Sequence, residues 1–470
     1  MPPSPSPRNA TLSDWLRENR SSPNWTFWGA HASASLNVLA AGSVFAGRIS
    51  ELAGRSVLLA TADQLTAALA LIELDGVARR LTLCAPDVAH EHLPAIVADA
   101  EVDAIVSDRA APEHQRLGID LRVICTTEIK PTESQPSRPY RTEWVLLTSG
   151  TTGAPKAVMH SLASLTAAIK PRGIGEPAIV WATFYDIRRY GGLQIFLRAV
   201  LGGASLVLSD SKEPVGKFLA RLAAHGATHV TGTPSHWRRT LWSPAAGSIA
   251  PRYVRMSGEV ADQAIIDNLR AAYPHAKIGH AYASTEAGVG FHVDDEREGF
   301  PVNFLGETRG EVEIKIKDGS LCVRSPGTAA RYLGKGRGPV AAEDGFVNTG
   351  DVIIMRGDRC FFGGRAGGII NVGGSKVHPE EVEAVINRHP DVRLSLVRPK
   401  KNPITGSVVI AEVVLAESLV GNGTDARKSE VKGEILQLCR ESLTQFKVPV
   451  AISFVPRLAM TNSGKLARHA

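Results

Sequence analysis

Thr148-Ser149-Gly150-Thr151-Thr152-Gly153-Ala154-Pro155-Lys156 follows directly on the apolar run Val145-Leu146-Leu147. The run reads as a buried strand, and the loop leaves its end. Two glycines let backbone N–H groups turn toward one point, four hydroxyls add donors, and Lys156 adds a cation. Such a loop suits a polyanion such as pyrophosphate. Two glycines alone would more simply mark a surface turn. The hydroxyl run followed by Pro155-Lys156 argues against that reading here. It is not a P-loop, whose Lys comes directly after Gly and is followed by Ser or Thr. Ala154 and Pro155 separate Gly153 from Lys156, and Ala157 follows.

Upstream, from about 29 to 126, short apolar runs alternate with helical patterns. Val57–Ala60, Leu81–Cys84 and Ala104–Val106 read as strands, and Gln64–Leu74 as a helix. Residues 127–141 read as a polar linker, after which the alternation runs from Trp144 to about 280. This is the pattern of an α/β fold with a parallel sheet. Near 310 the period changes to two. Val312, Ile314 and Ile316 lead to Asp318-Gly319 and then to Leu321 and Val323, which predicts an antiparallel hairpin. Beyond 364 the pattern is α+β. Pro379 begins a helix with Glu380 and Glu381 at its positive end and a Val382, Val385, Ile386 stripe; Pro390 closes it. Ser407–Ala416 reads as a strand. Val431, Ile435, Leu438 and Cys439 mark another helix.

The fold class expected is therefore α/β. A disordered tail covers 1–12. A large N-terminal domain of α/β subdomains plus a β-rich subdomain covers 13–365, and a small mobile α+β C-terminal domain covers 366–470. Ala32–Gly47 is too short and too rich in Ser, Gly and Ala for a membrane span, and is expected to be a packed helix.

The chain has 470 residues with a net charge of +6 and no dense basic block with interleaved aromatics, so nucleic acid is not the expected partner. Five scattered cysteines show no zinc spacing and fit a reducing, cytoplasmic setting. The Pro/Ser-rich start lacks the regions of a signal peptide.

TSGTTGAPKAV resembles the signature loop of the adenylate-forming enzymes: acyl-CoA synthetases, adenylation domains and luciferases. The resemblance implies that Thr148, Ser149, Gly150, Thr151, Thr152, Gly153 and Lys156 hold the β- and γ-phosphates of ATP. Three further segments follow in family order. His280-Ala281-Tyr282-Ala283-Ser284-Thr285-Glu286 is similar to the aromatic-Gly-x-Thr-Glu segment, with Ala283 in place of Gly. By resemblance Tyr282 stacks on adenine, Thr285 touches the α-phosphate, and Glu286 binds Mg²⁺. A flat ring suits a base, and a carboxylate is a hard ligand for Mg²⁺. Thr349-Gly350-Asp351 implies that Asp351 accepts from the ribose hydroxyls, with Arg365 on ribose or phosphate. Ser463-Gly464-Lys465-Leu466-Ala467-Arg468 resembles the terminal segment whose Lys meets the substrate carboxylate and the α-phosphate together. A cation between two anions offsets their repulsion as charge builds at phosphorus.

Two places depart from the pattern. Gly367 stands where the family carries a charged residue at the hinge between domains. In Thr183–Gly191 the aromatic-His pair of many CoA ligases is missing, and Arg188 lies near the place of the His. Arg188 either meets a polar or anionic acyl group or belongs to a surface-pointing pair; Asp186 is the alternative, toward an amino group. Tyr185, Arg188, His229, Ser257, Gly258 and Ala283 are the candidate acid-binding residues. The turn Ser257-Gly258-Glu259 resembles one whose backbone packs on adenine. Gly373 and Gly374 would face the thiol channel.

The expected activity is that of an AMP-forming acid–thiol ligase using ATP, Mg²⁺ and a carboxylic acid, most like an acyl-CoA ligase with CoA as acceptor. Two alternatives stay open. One is a stand-alone adenylation enzyme loading an acyl or peptidyl carrier protein. The other is a non-catalytic binding protein on the same fold.

Overall fold

The computed structural model describes residues 10–19, 25–132, 136–148, 155–170, 177–334, 337–403, 405–416, 425–461 and 465–468. The chain divides into two compact units. One comprises 1–231, 282–291 and 324–347, the other 232–281, 292–323 and 348–470.

In the first unit, strand Glu143–Thr148 pairs parallel to Arg80–Leu83, then come Ser56–Leu59, Ala104–Ser107 and Leu121–Ile124. The three inner strands are buried at every position, as parallel strands covered on both faces must be. The helix Gln64–Leu74 runs as expected and is buried along its whole length. It starts at Asp63, whose carboxylate accepts the Thr66 amide. A second sheet in this unit joins Thr26–Trp28, Ser205–Leu208, Val180–Thr183 and His229–Gly232 in parallel. Helices Tyr190–Leu201 and Val215–Ala224 make the crossovers.

In the second unit, Tyr253–Ser257 runs parallel to the start of Lys277–Ser284 through helix Gln263–Ala272. The Asp318-Gly319 hairpin joins Glu313–Lys317 to Ser320–Arg324. Both turn residues have positive φ, 51° and 75°, as a two-residue hairpin turn of this kind requires. The C-terminal segment has its own core, with Val382 and Ile386 of helix Pro379–Ile386 packed with Val413, Val431, Ile435 and Ile452. Helix Asp425–Ser442 and the antiparallel pair Val392–Asn402/Gly406–Leu415 complete it.

Three expectations are corrected. Ala32–Gly47 is not a helix but strand Ser33–Ser35, one turn at Leu36–Leu39 and a short strand Gly42–Ser43. The last pairs with Lys130–Pro131, inside the stretch read as a linker. A β-carbon on Gly42 would stand 2.8 Å from the Lys130 carbonyl, so the close pairing needs glycine there. The tail expected to be disordered through residue 12 is folded at its end, because Thr11 caps helix Leu12–Glu18 and Leu12 is buried. Residues 1–9 lie outside the described residues.

Candidate active site

Strand Glu143–Thr148 turns back as the antiparallel strand Lys156–Ser161, with Thr148 opposite Lys156. The two ends of the candidate phosphate loop, Thr148 and Lys156, are therefore held in one antiparallel strand pair. That geometry separates it from a strand-loop-helix P-loop. Ser149, Gly150, Thr151, Thr152 and Gly153 lie outside the described residues. Lys156 is exposed, its Nζ 5.6 Å from the centre of the Tyr332 ring. Tyr332 sits in the strand next to Lys156–Ser161 and pairs with Val158. Burial raises its phenol, and the nearby charge of Glu286 raises it further. Lys156 and Glu286 thus both come up to Tyr332, a residue that no motif had marked.

Glu286 is half-buried, and its carboxylate has no hydrogen-bond or ion-pair partner among the described residues. Its backbone carbonyl accepts the Ala329 amide. The Thr285 carbonyl is held by His160, with Nε2 at 2.7 Å. His160 is buried, and burial pushes its pKa down to about 4, with the Thr285 bond opposing. It is neutral at pH 7. Nε2 must carry the proton to donate to a carbonyl, which leaves Nδ1 to accept from Ser164, 3.1 Å away. His160 was missed in the sequence, where it is one His within a strand.

Tyr282 stacks on Phe291, with ring centres 5.5 Å apart and planes 19° apart. Gly290 brings its backbone against the same ring; a β-carbon there would lie 3.0 Å from it. Ala283 is partly buried against the core of this unit. His229 meets Trp181 edge to face at 4.8 Å, and its Nδ1 is 2.9 Å from Thr228 Oγ1. Tyr185 packs its ring over Gly191.

Arg188 is corrected on one reading. It is buried, not part of a surface pair. Its guanidinium is taken up by Asp186 at 2.8 and 2.7 Å and by the backbone of Thr61 and Ala62. Burial would raise the Asp186 carboxyl, but Arg188 holds it below its usual range. The two form an internal ion pair within the loop. Removing either partner would strand a buried charge.

In the second unit, Asp351 and Arg365 lie opposite each other across the antiparallel strands Val347–Arg356 and Arg359–Arg365, with Nε to Oδ1 at 3.1 Å. Gly373 and Gly374 form the turn of a small hairpin, with φ of 56° and 88°. The left-handed turn by itself explains the two glycines.

Lys465 lies over the turn after strand Tyr253–Ser257. A β-carbon on Gly258 would stand 3.2 Å from Lys465 Cε and 3.6 Å from Nζ. Gly258 has φ +87°, so this turn both needs glycine and gives the lysine room. The Leu466 amide donates to Glu259 Oε1 at 3.0 Å. Arg468 ends the tail in a two-fold bond to Glu383, at 2.8 and 2.7 Å. The structure thus brings Lys465 to Gly258, and Arg365 to Asp351.

Residues 52–333 match the family model of the AMP-binding enzymes, and residues 381–465 match the AMP-binding enzyme C-terminal domain. The 2-succinylbenzoate–CoA ligase of Listeria innocua is 26% identical over 384 residues, 80% of this chain and 77% of that protein. The 4-coumarate–CoA ligase 1 of Solanum tuberosum is 27% identical over 350 residues, 68% of this chain and 62% of that protein. Among solved structures, the anthranilate CoA ligase AuaEII with anthranoyl-AMP superposes with a TM-score of 0.78 at 18% identity, covering 99% of this chain and 97% of that one. The amide bond synthetase McbA from Marinactinospora thermotolerans gives 0.75 at 21% identity, covering 97% and 98%. These last two likenesses concern the fold. No helix among the described residues is long and apolar enough to cross a membrane.

Proposed function

The chain belongs to the AMP-binding enzyme family, and from that premise we propose that it activates a carboxylic acid with ATP and passes the acyl group to a thiol, CoA first among acceptors. The observation that carries this reading is Lys465 seated over Gly258. In the first half-reaction a carboxylate oxygen attacks the α-phosphorus, the bond to the β-phosphate oxygen breaks, and pyrophosphate leaves. Lys465 lies between the two anions as they approach. In the second, a thiolate sulfur attacks the acyl carbon, the bond to the AMP oxygen breaks, AMP leaves, and the thiol proton goes to solvent.

Thr148 and Lys156, with Ser149, Gly150, Thr151, Thr152 and Gly153 between them, are assigned to the ATP phosphates. Tyr282 is assigned to adenine, Asp351 and Arg365 to the ribose side, and Thr285 to the α-phosphate. Glu286 fits Mg²⁺ by its chemistry: a half-buried carboxylate without an ion-pair partner among the described residues, near the Tyr332 ring that Lys156 also approaches. When bound there, Mg²⁺ neutralises phosphate charge. Tyr185, His229, Ser257, Gly258 and Ala283 are assigned to the acid, and Gly373 and Gly374 to the thiol approach. The segment 366–470 is assigned to a small domain that turns about Gly367, carrying Lys465 in for the first half-reaction and away for the second. The curated relatives act on aromatic acids, which makes 2-succinylbenzoate and 4-coumarate the first acids to try.

The test is pyrophosphate–ATP exchange over a panel of aromatic and aliphatic acids, then thioester formation with free CoA. Exchange with at least one acid and a CoA thioester from it support the reading. Exchange with transfer only to a phosphopantetheine carrier protein moves the acceptor. No exchange with any acid overturns the reading.

A further inference from the structure

Glu259 occupies a singular place beside the tail. Its Oε2 accepts the Ser235 amide at 3.0 Å, in the first turn of helix Pro234–Leu241. Its Oε1 accepts the Leu466 amide at 3.0 Å, one residue past Lys465. The helix end is built to receive an anion: Thr233 caps it, Pro234 opens it, and the dipole is positive there. One carboxylate therefore grips a rigid helix with one oxygen and the tail with the other. Other bonds of the tail run within the C-terminal segment. Arg468 goes to Glu383 and Glu380, within the C-terminal segment itself, and Thr461 folds back on Lys465 main chain. One further bond between the C-terminal segment and this helical region is longer, Asn387 Nδ2 to Asp262 Oδ2 at 3.4 Å.

We propose that Glu259 is a positioning residue for the first half-reaction: by holding the Leu466 amide against helix Pro234–Leu241 it sets Lys465 over Gly258. This rests on the reading of Lys465 given above. The geometry makes it specific. Lys465 is exposed and has a long flexible stem, and the main-chain group next to the one that carries it is bound by Glu259. In the second half-reaction, where the tail is away, the contact is not made.

The test separates the two half-reactions in Glu259→Ala and Glu259→Gln, each beside the wild type. Exchange is followed with the acid that the panel selects, and thioester formation is followed from supplied acyl-AMP and CoA. Hydrogen exchange is read on the peptide that carries Leu466. Glu259→Ala is expected to lose exchange kcat by about 10- to 100-fold with little change in the KM for ATP. Its rate from supplied acyl-AMP should stay within about twofold of wild type. Glu259→Gln keeps one acceptor oxygen and should fall between. The Leu466 amide should exchange faster in Glu259→Ala. Loss of both half-reactions together, or unchanged exchange kcat, overturns the proposal. The hydrogen-exchange arm needs no turnover. If no acid supports exchange, the functional reading fails, while equal protection of Leu466 in wild type and Glu259→Ala still overturns the role of Glu259.

Discussion

Arg365 donates to Asp351 across an antiparallel strand pair, Nε to Oδ1 at 3.1 Å, two residues that stand far apart in the sequence motifs. The Arg365 side chain is largely exposed, so the pair contributes little to stability. What the pairing does is set the direction of the carboxylate proposed for the ribose side.

Asp351→Ala should therefore raise the KM for ATP by about 10- to 100-fold, the worth of losing a charged acceptor. The melting temperature should stay near wild type. Steady-state kinetics with ATP varied, beside a thermal melt, checks it. An unchanged KM would remove Asp351 from the nucleotide site.

Gly258→Ala tests the room left for Lys465. The position has φ +87°, and the new methyl would press on Lys465 Cε. Exchange should fall by at least about tenfold, because small displacements of a reacting group are costly. A variant with normal exchange would show that the lysine works from another place.

The His160 ring spans the strand after the phosphate loop and the Thr285 carbonyl. His160→Ala leaves that carbonyl without its donor and should cost about 1–3 kcal/mol. Exchange should fall as well, since the Thr285-Glu286 segment loses its support. Denaturant unfolding and exchange assays read the two effects separately.

Stability should depend on pH in a set direction. Burial pushes Glu73 up to about 7 and Asp75 up to about 6. An acid whose pKa is higher folded than unfolded contributes stability that is full below its unfolded value. That contribution is lost as pH rises through the folded value. These two groups therefore favour the fold near pH 4 and cost stability between there and about pH 7. His160 acts in reverse, its contribution present above 6.5 and lost as pH falls toward about 4. Glu73→Gln keeps an acceptor for the Val44 amide and removes the charge. Its melting temperature should fall less than that of wild type between pH 5 and pH 8. Parallel melting curves would contradict the assignment.

Much of this could be read from the chain because it depends on local chemistry. The helix Gln64–Leu74, the Asp318-Gly319 turn and the Pro379 helix start each follow from residues adjacent in sequence. The roles of His160 and Tyr332 depend on strands far apart that meet only after folding, so no spacing announced them. Arg188 misled for the same reason. Its partners Thr61 and Ala62 lie more than a hundred residues away, and without them a charged side chain near a presumed pocket looks free. Ala32–Gly47 was apolar enough for a helix, but strand pairing with Lys130–Pro131 decided its form.

The most direct measurement compares Lys465→Ala with wild type in two assays: pyrophosphate exchange, and thioester formation from supplied acyl-AMP. Loss of exchange by about 10²- to 10³-fold, with the second rate largely kept, is the predicted result. Equal exchange in the two proteins would mean that the ammonium over Gly258 takes no part in joining acid to nucleotide.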